Sequence, residues 1–76
     1  ALKEELRRWC DENLTSSKVD SSIPDLPEEE ELRYFKRTEQ IRSMISKNFL
    51  NLESGYLENF VDEIYPDIFG DDKEDE

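Results

Sequence analysis

The fold is decided by residues 52–70, LESGYLENFVDEIYPDIFG. Their apolar residues recur at spacings of three, one, three and four, the pattern of a helix with one apolar face. This stripe consists of Leu57, Phe60, Val61, Ile64 and Ile68. Ser54 precedes it as a typical N-cap, whereas Pro66 lacks an N–H and disfavours helical geometry at Tyr65. The pattern predicts a helix over residues 54–65, then a separate turn over 66–69 that Gly70 closes.

The apolar stripe is wider than usual because aromatic residues flank it. One interpretation is that another helix covers these rings and all of them belong to the core. The other is that Tyr65, Ile68 and Phe69 are not needed for the core and form an exposed docking patch. The candidate partner-binding residues are Tyr56, Tyr65, Ile68, Phe69, Asp62, Glu63 and Asp67.

A second helix is predicted over residues 27–50. Pro27 suits the first helical position, and the glutamates that follow it suit the positive end of the helix dipole. Apolar residues recur every three or four positions from Leu32 to Leu52, with Thr38 filling one gap. A basic segment runs through the same helix: Arg33, Lys36, Arg37, Arg42 and Lys47. Its charge complements the acidic third helix, which favours an antiparallel pair.

A first helix is predicted over residues 2–14, whose apolar residues share one face: Leu2, Leu6, Trp9, Cys10 and Leu14. Residues 15–26 are polar and predict a turn-rich linker. Ser17 and Ser22 each have an aspartate three positions later, a spacing that suits an acid-directed kinase. Both are candidate phosphorylation sites, and an unmodified linker is the alternative.

Together these segments predict an all-α, small three-helix domain over residues 1–70, because a chain of 76 residues makes one small domain at most. Residues 71–76, DDKEDE, are predicted to be a disordered acidic tail. The predicted core consists of Leu6, Trp9, Phe35, Ile41, Ile45, Phe49, Leu57, Phe60, Val61 and Ile64.

Charge narrows the class of partner. The net charge is −11, and residues 53–76 contain ten acidic side chains against Lys73 alone. Such a surface repels nucleic acid and anionic membranes. It favours binding another protein with a basic or amphipathic surface, with the acids accelerating encounter and the aromatic residues providing affinity. The alternative is a homodimer that buries the wide stripe of the third helix, since a small chain gains core by association. A further alternative is an adaptor for an acid-tolerant partner such as a histone or ribosomal protein.

Residue types that support catalysis are scarce. The chain has no histidine, two glycines and one cysteine, so it offers no internal disulfide and no glycine-rich phosphate loop. No metal-ligand spacing occurs in it. We therefore expect a binding or adaptor domain that is not an enzyme and uses no cofactor or metal. A single thiol fits a reducing, intracellular compartment, the cytoplasm or the nucleus.

Overall fold

The computed structural model describes residues 2–70, which form four helices and no strand. The helices are α1 (Leu2–Asn13), α2 (Ser16–Ser21), α3 (Glu30–Asn48) and α4 (Ser54–Phe69). The predicted all-α class is confirmed, and α1, α3 and α4 correspond to the three expected helices. The predicted tail lies outside the described residues, and the single-domain boundary stays a prediction.

One core joins all four helices. Its buried side chains are Leu6, Cys10, Leu14, Val19, Ile41, Ile45, Leu57, Phe60, Val61, Ile64 and Phe69. Helices α3 and α4 pack antiparallel, since the start of α3 meets the end of α4 at Tyr34 and Tyr65 and later residues meet at Arg42 and Glu58. Most of the predicted core is confirmed. Trp9 and Phe49 are half-buried at its edge, where their rings meet edge to face at 5.7 Å.

Phe35 is not a core residue, so that prediction is wrong. Its side chain is 56% exposed, while Ile41 and Ile45 of the same helix are fully buried. At 100° per residue, Phe35 lies about 120° from Ile41 around the helix, whereas Tyr34 lies only about 20° from it. Tyr34 therefore faces α4, and Phe35 points away from the core.

The predicted linker contains a helix of its own. Thr15 is the N-cap of α2, and its hydroxyl accepts a hydrogen bond from the Lys18 N–H at 3.2 Å. Val19 of this helix is completely buried and belongs to the core. The capped start and the buried Val19 side chain both stabilise this short polar stretch as a helix.

Helix α3 begins at Glu30, three residues later than predicted from Pro27. The carbonyl of Glu28, which a longer helix would use, accepts a hydrogen bond from the guanidinium of Arg33 at 3.1 Å. The first helical carbonyl is that of Glu29, which accepts from the Arg33 N–H at 2.9 Å. At the other end α3 stops at Asn48, two residues before the predicted end.

Helix α4 passes through Pro66 and ends at Phe69, so the predicted break before the proline is wrong. An interior proline costs a helix about 3 kcal/mol. Burial of a phenylalanine contributes about 1.5–3 kcal/mol, and Phe69 is 7% exposed and also lies under the guanidinium of Arg37. These tertiary contacts offset the local cost and keep the last turn helical.

Helix α4 begins at Ser54, as predicted, but its N-cap differs from the prediction. Glu53, rather than Ser54, is the N-cap, and its carbonyl accepts from the Leu57 N–H at 3.0 Å. None of the helices in residues 2–70 is long and apolar enough to cross a membrane.

Candidate functional site

Aromatic rings line the junction between the start of α3 and the end of α4. The ring of Tyr34 meets that of Tyr65 edge to face at 4.7 Å, and Tyr65 contacts Phe69 at 4.9 Å. The guanidinium carbon of Arg37 lies 4.0 Å from the centroid of the Phe69 ring, which is a cation–π contact. Three rings and one guanidinium thus form a continuous cluster across the two helices.

Arg37 is held in this cluster by Asp20 of α2. Its Nε and Nη2 atoms donate hydrogen bonds of 2.8 and 2.7 Å to the two carboxylate oxygens. A third hydrogen bond, at 3.4 Å, joins Nη1 to the hydroxyl of Tyr65. The pKa of Arg37 lies above its usual range, mainly because of the hydrogen bonds to Asp20. The guanidinium is therefore a permanent cation whose charge Asp20 neutralises.

A small pocket opens beside this cluster. We call it the tyrosine pocket; its volume is about 240 Å³, and it is lined by Tyr34, Asp62, Tyr65, Pro66, Phe69 and Gly70. Four of these residues, at positions 62, 65, 66 and 69, follow the i, i+3, i+4, i+7 spacing of one helix face. Gly70 ends α4, and a Cβ atom there would collide with the backbone carbonyl of Pro66. The floor is aromatic, and the rim carries one carboxylate.

The carboxylate of Asp62 gives the tyrosine pocket its charge. Its side chain is exposed, and none of the ion pairs among residues 2–70 involves it. The pKa of the Tyr34 phenol is raised, mainly by partial burial and secondly by the charge of Asp62. Tyr34 therefore stays neutral at physiological pH, and the pocket keeps one uncompensated negative charge.

Other acidic residues of α4 face cations of the same chain. Glu63 lies 3.4 Å from Lys3 and 3.8 Å from Arg7, and Asp67 lies 2.9 Å from Arg7. These pairs join α4 to α1, although the sequence favoured pairing with the basic segment of α3. The basic segment of α3 forms one ion pair with α4, in which Arg42 lies 4.0 Å from Glu58. Glu63 and Asp67 are thus partly neutralised within the chain, unlike Asp62.

The remaining predicted partner-binding residues do not meet in one place. Tyr56 stacks on Phe60 at 6.4 Å near the start of α4, nine residues from Tyr65 and so about 13.5 Å along the helix. Ile68 faces a different cavity, of about 300 Å³, between α1, α2 and α4. Phe69 is buried, which contradicts its predicted place in an exposed docking patch. Of the predicted set, the tyrosine pocket combines Asp62, Tyr65 and Phe69.

The two candidate phosphorylation sites are both exposed on or beside α2. Ser17 lies in the first turn of that helix. Ser22 is its C-cap, and the Ser22 hydroxyl donates to the Val19 carbonyl at 2.8 Å and accepts from the Gln40 amide at 3.0 Å. Their modification stays a prediction.

Sequence reasoning missed Tyr34 and Arg37 as site residues. A signal for them was present: Tyr34, Arg37, Ile41 and Ile45 fall at i, i+3, i+7 and i+11, which is one helix face. The charge of Arg37 conceals its place on that face, and the more apolar Phe35 is the predicted core residue instead of its neighbour Tyr34.

Comparison with protein-family models, with curated proteins and with solved structures gives no match for this chain. Within residues 2–70, no group of three or more potential ligand residues is arranged to hold a metal ion. The candidate site is therefore interpreted from its own chemistry, which is aromatic and anionic.

Proposed function

We propose that this domain is a non-enzymatic protein-interaction module that binds a basic or amphipathic segment of a partner along α4, centred on the tyrosine pocket. The observation that carries the proposal is the position of Asp62. Its exposed carboxylate pairs with no cation of residues 2–70. Asp62 lines the same pocket as Tyr34, whose side chain is 45% exposed. Anionic and aromatic groups side by side recognise cationic side chains.

The charge of the whole chain supports the same class of partner. At −11 it attracts basic segments over distances near the Debye length, about 8–10 Å at moderate salt. Within residues 53–70 every charged side chain is acidic. Long-range attraction accelerates encounter, and contact with the rings then provides affinity.

The module has the tyrosine pocket as its centre, rather than an exposed tip after the proline. Phe69 is buried and forms part of the floor, while Tyr34 of α3 joins the surface. Affinity on this surface depends on Tyr34 and Tyr65, and selection of partner charge depends on Asp62. Glu63 and Asp67 contribute to the long-range field and also bind α1.

The homodimer alternative is less favoured, because Leu57, Phe60, Val61 and Ile64 of the α4 stripe are already buried within the chain. Self-association nevertheless stays an alternative, and sedimentation across a concentration range tests it first. We also propose an intracellular location, cytoplasmic or nuclear, which the unpaired Cys10 thiol supports.

A titration with a defined basic peptide tests the proposed function. The probe is a short peptide of alternating lysine and alanine, and the matched control replaces each lysine with serine. Amide shifts of the labelled protein should move along the α3–α4 surface with the lysine peptide only, and added salt should weaken binding steeply.

Two variants locate the binding surface. Asp62→Asn should weaken peptide binding severalfold. Glu39→Gln removes one exposed carboxylate from the outward side of α3 and should change it much less. No saturable shift with the lysine peptide, or equal losses in both variants, would contradict the proposal.

A further inference from the structure

We infer that the tyrosine pocket holds the ammonium group of a single lysine side chain. This inference rests on the proposed function for its setting, since a partner segment would deliver that lysine. The volume of about 240 Å³ lies below the range of drug-sized ligand sites, roughly 300–1,000 Å³. It suits the end of one side chain.

The two tyrosine rings supply attraction for a cation. They meet at 65°, so they present surfaces in different directions around the pocket. Cations bind the faces of such rings, with a gain that grows as the site becomes drier. The third ring, that of Phe69, already receives Arg37, and Arg37 does not line the pocket.

Asp62 offers acceptors for the N–H groups of an ammonium. Asp62 lines the pocket, and its side chain is exposed. Asp62 thus contributes a charged acceptor, which suits an ammonium with three N–H donors.

The end of α4 adds to the negative potential. Its last turn contains no basic residue, and the carbonyl groups of that turn form the negative end of the helix dipole. The nearby cation Arg37 opposes a second cation only weakly, because Asp20 neutralises it through two hydrogen bonds. Carboxylate, dipole and aromatic faces therefore converge on one cation.

The test uses small probes rather than a partner protein. Nα-acetyl-lysine methylamide is titrated into the labelled protein at low salt, alongside the norleucine, arginine and Nε-trimethyl-lysine analogues. Ring signals of Tyr34 and Tyr65 and the Gly70 amide report on the pocket. The lysine probe should shift them saturably, the norleucine probe should not, and the other two should bind at least severalfold more weakly.

Variants that keep the fold locate the contacts. Asp62→Asn should weaken the lysine probe about tenfold, since a hydrogen bond to a charged group becomes one to a neutral group. Pro66→Ala, which removes a ring that lines the pocket, should weaken it severalfold without loss of fold. Glu39→Gln should leave the affinity unchanged.

Outcomes separate this inference from the proposed function. If the alternating lysine peptide binds but the lysine probe leaves the pocket signals unmoved, the pocket assignment is overturned and the interaction surface survives. If the probe binds but the peptide does not, the pocket stands and the proposed function fails. Tighter binding of trimethyl-lysine or arginine would overturn the assignment to an ammonium with N–H donors.

Discussion

The guanidinium of Arg37 forms a two-pronged pair with the carboxylate of Asp20, at 2.8 and 2.7 Å, and so ties α3 to α2. The side chains are only 14% and 29% exposed. This pair therefore differs from the exposed pairs between α1 and α4, which are each worth about 0–1 kcal/mol.

Arg37→Lys should lower the free energy of unfolding by about 1–2 kcal/mol. Lysine keeps the charge but loses the planar fork that binds both oxygens of Asp20. Urea unfolding followed by circular dichroism measures the change. Lys36→Ala, an exposed neighbour, is the control and should stay within about 0.5 kcal/mol of the parent.

A double-mutant cycle with Asp20→Asn tests whether the pair itself carries the loss. If Arg37→Lys costs the same whether residue 20 is aspartate or asparagine, the two side chains are not coupled and the interpretation is wrong.

Two phenylalanines provide a matched test of burial. Phe69→Ala should cost about 3 kcal/mol or more, because the ring is 7% exposed and packs under Arg37. Phe35→Ala should cost less than about 0.5 kcal/mol, since that ring is 56% exposed. Thermal and urea denaturation of the two variants give the comparison. Equal losses would contradict the placement of both rings.

Pro66→Ala should raise the free energy of unfolding by about 1–2 kcal/mol. Alanine restores a backbone donor to the Asp62 carbonyl and removes the ring from the interior of α4. Part of this gain is lost because alanine leaves the unfolded chain more freedom.

At Pro27 we expect the opposite effect of an alanine substitution on stability. It lies outside the helices, so Pro27→Ala should lower stability slightly, by less than about 1 kcal/mol. Urea unfolding of both variants measures the sign. A loss of stability in Pro66→Ala would show that the proline belongs to the packing of the last turn.

Cys10 should react slowly with thiol reagents in the folded protein. Burial, followed by the charge of Asp11, raises the pKa of its thiol from 9.0 to about 11, against the opposing effect of Arg7. The thiolate fraction at neutral pH falls roughly a hundredfold in consequence. Labelling with a chromogenic disulfide should be slow in buffer and fast in concentrated urea. Equally fast labelling in both would contradict the burial.

The same thiol makes stability depend on pH. Between pH 9 and 11 the unfolded thiol loses its proton while the folded one keeps it. The contribution of Cys10 is therefore fully present below pH 9 and is lost as the pH rises towards 11. Urea unfolding across this window should show a shallower decline for Cys10→Ala than for the parent. Tyr34, whose pKa is also raised, contributes to both curves.

The candidate site was only partly predictable. Asp62 and Tyr65 could be selected because α4 is strongly periodic and acidic. Tyr34 and Arg37 could not be chosen with equal ease, since their role depends on which face of α3 meets α4. A charged side chain on an apolar helix face needs a partner of opposite charge. Here α2 brings Asp20 to Arg37.

By itself the sequence determined the all-α class, the approximate positions of α1, α3 and α4, and the stripe from Leu57 to Ile64. These features follow from spacing within a single helix, which is a local property. Tertiary structure alone decided that α4 continues past Pro66 and that Tyr34 rather than Phe35 turns inward. It also decided that Asp62 alone among the acids named for partner binding lies outside the ion pairs of residues 2–70. The physical reason is that each outcome depends on contacts between distant residues, whose energies match or exceed the local preferences that oppose them.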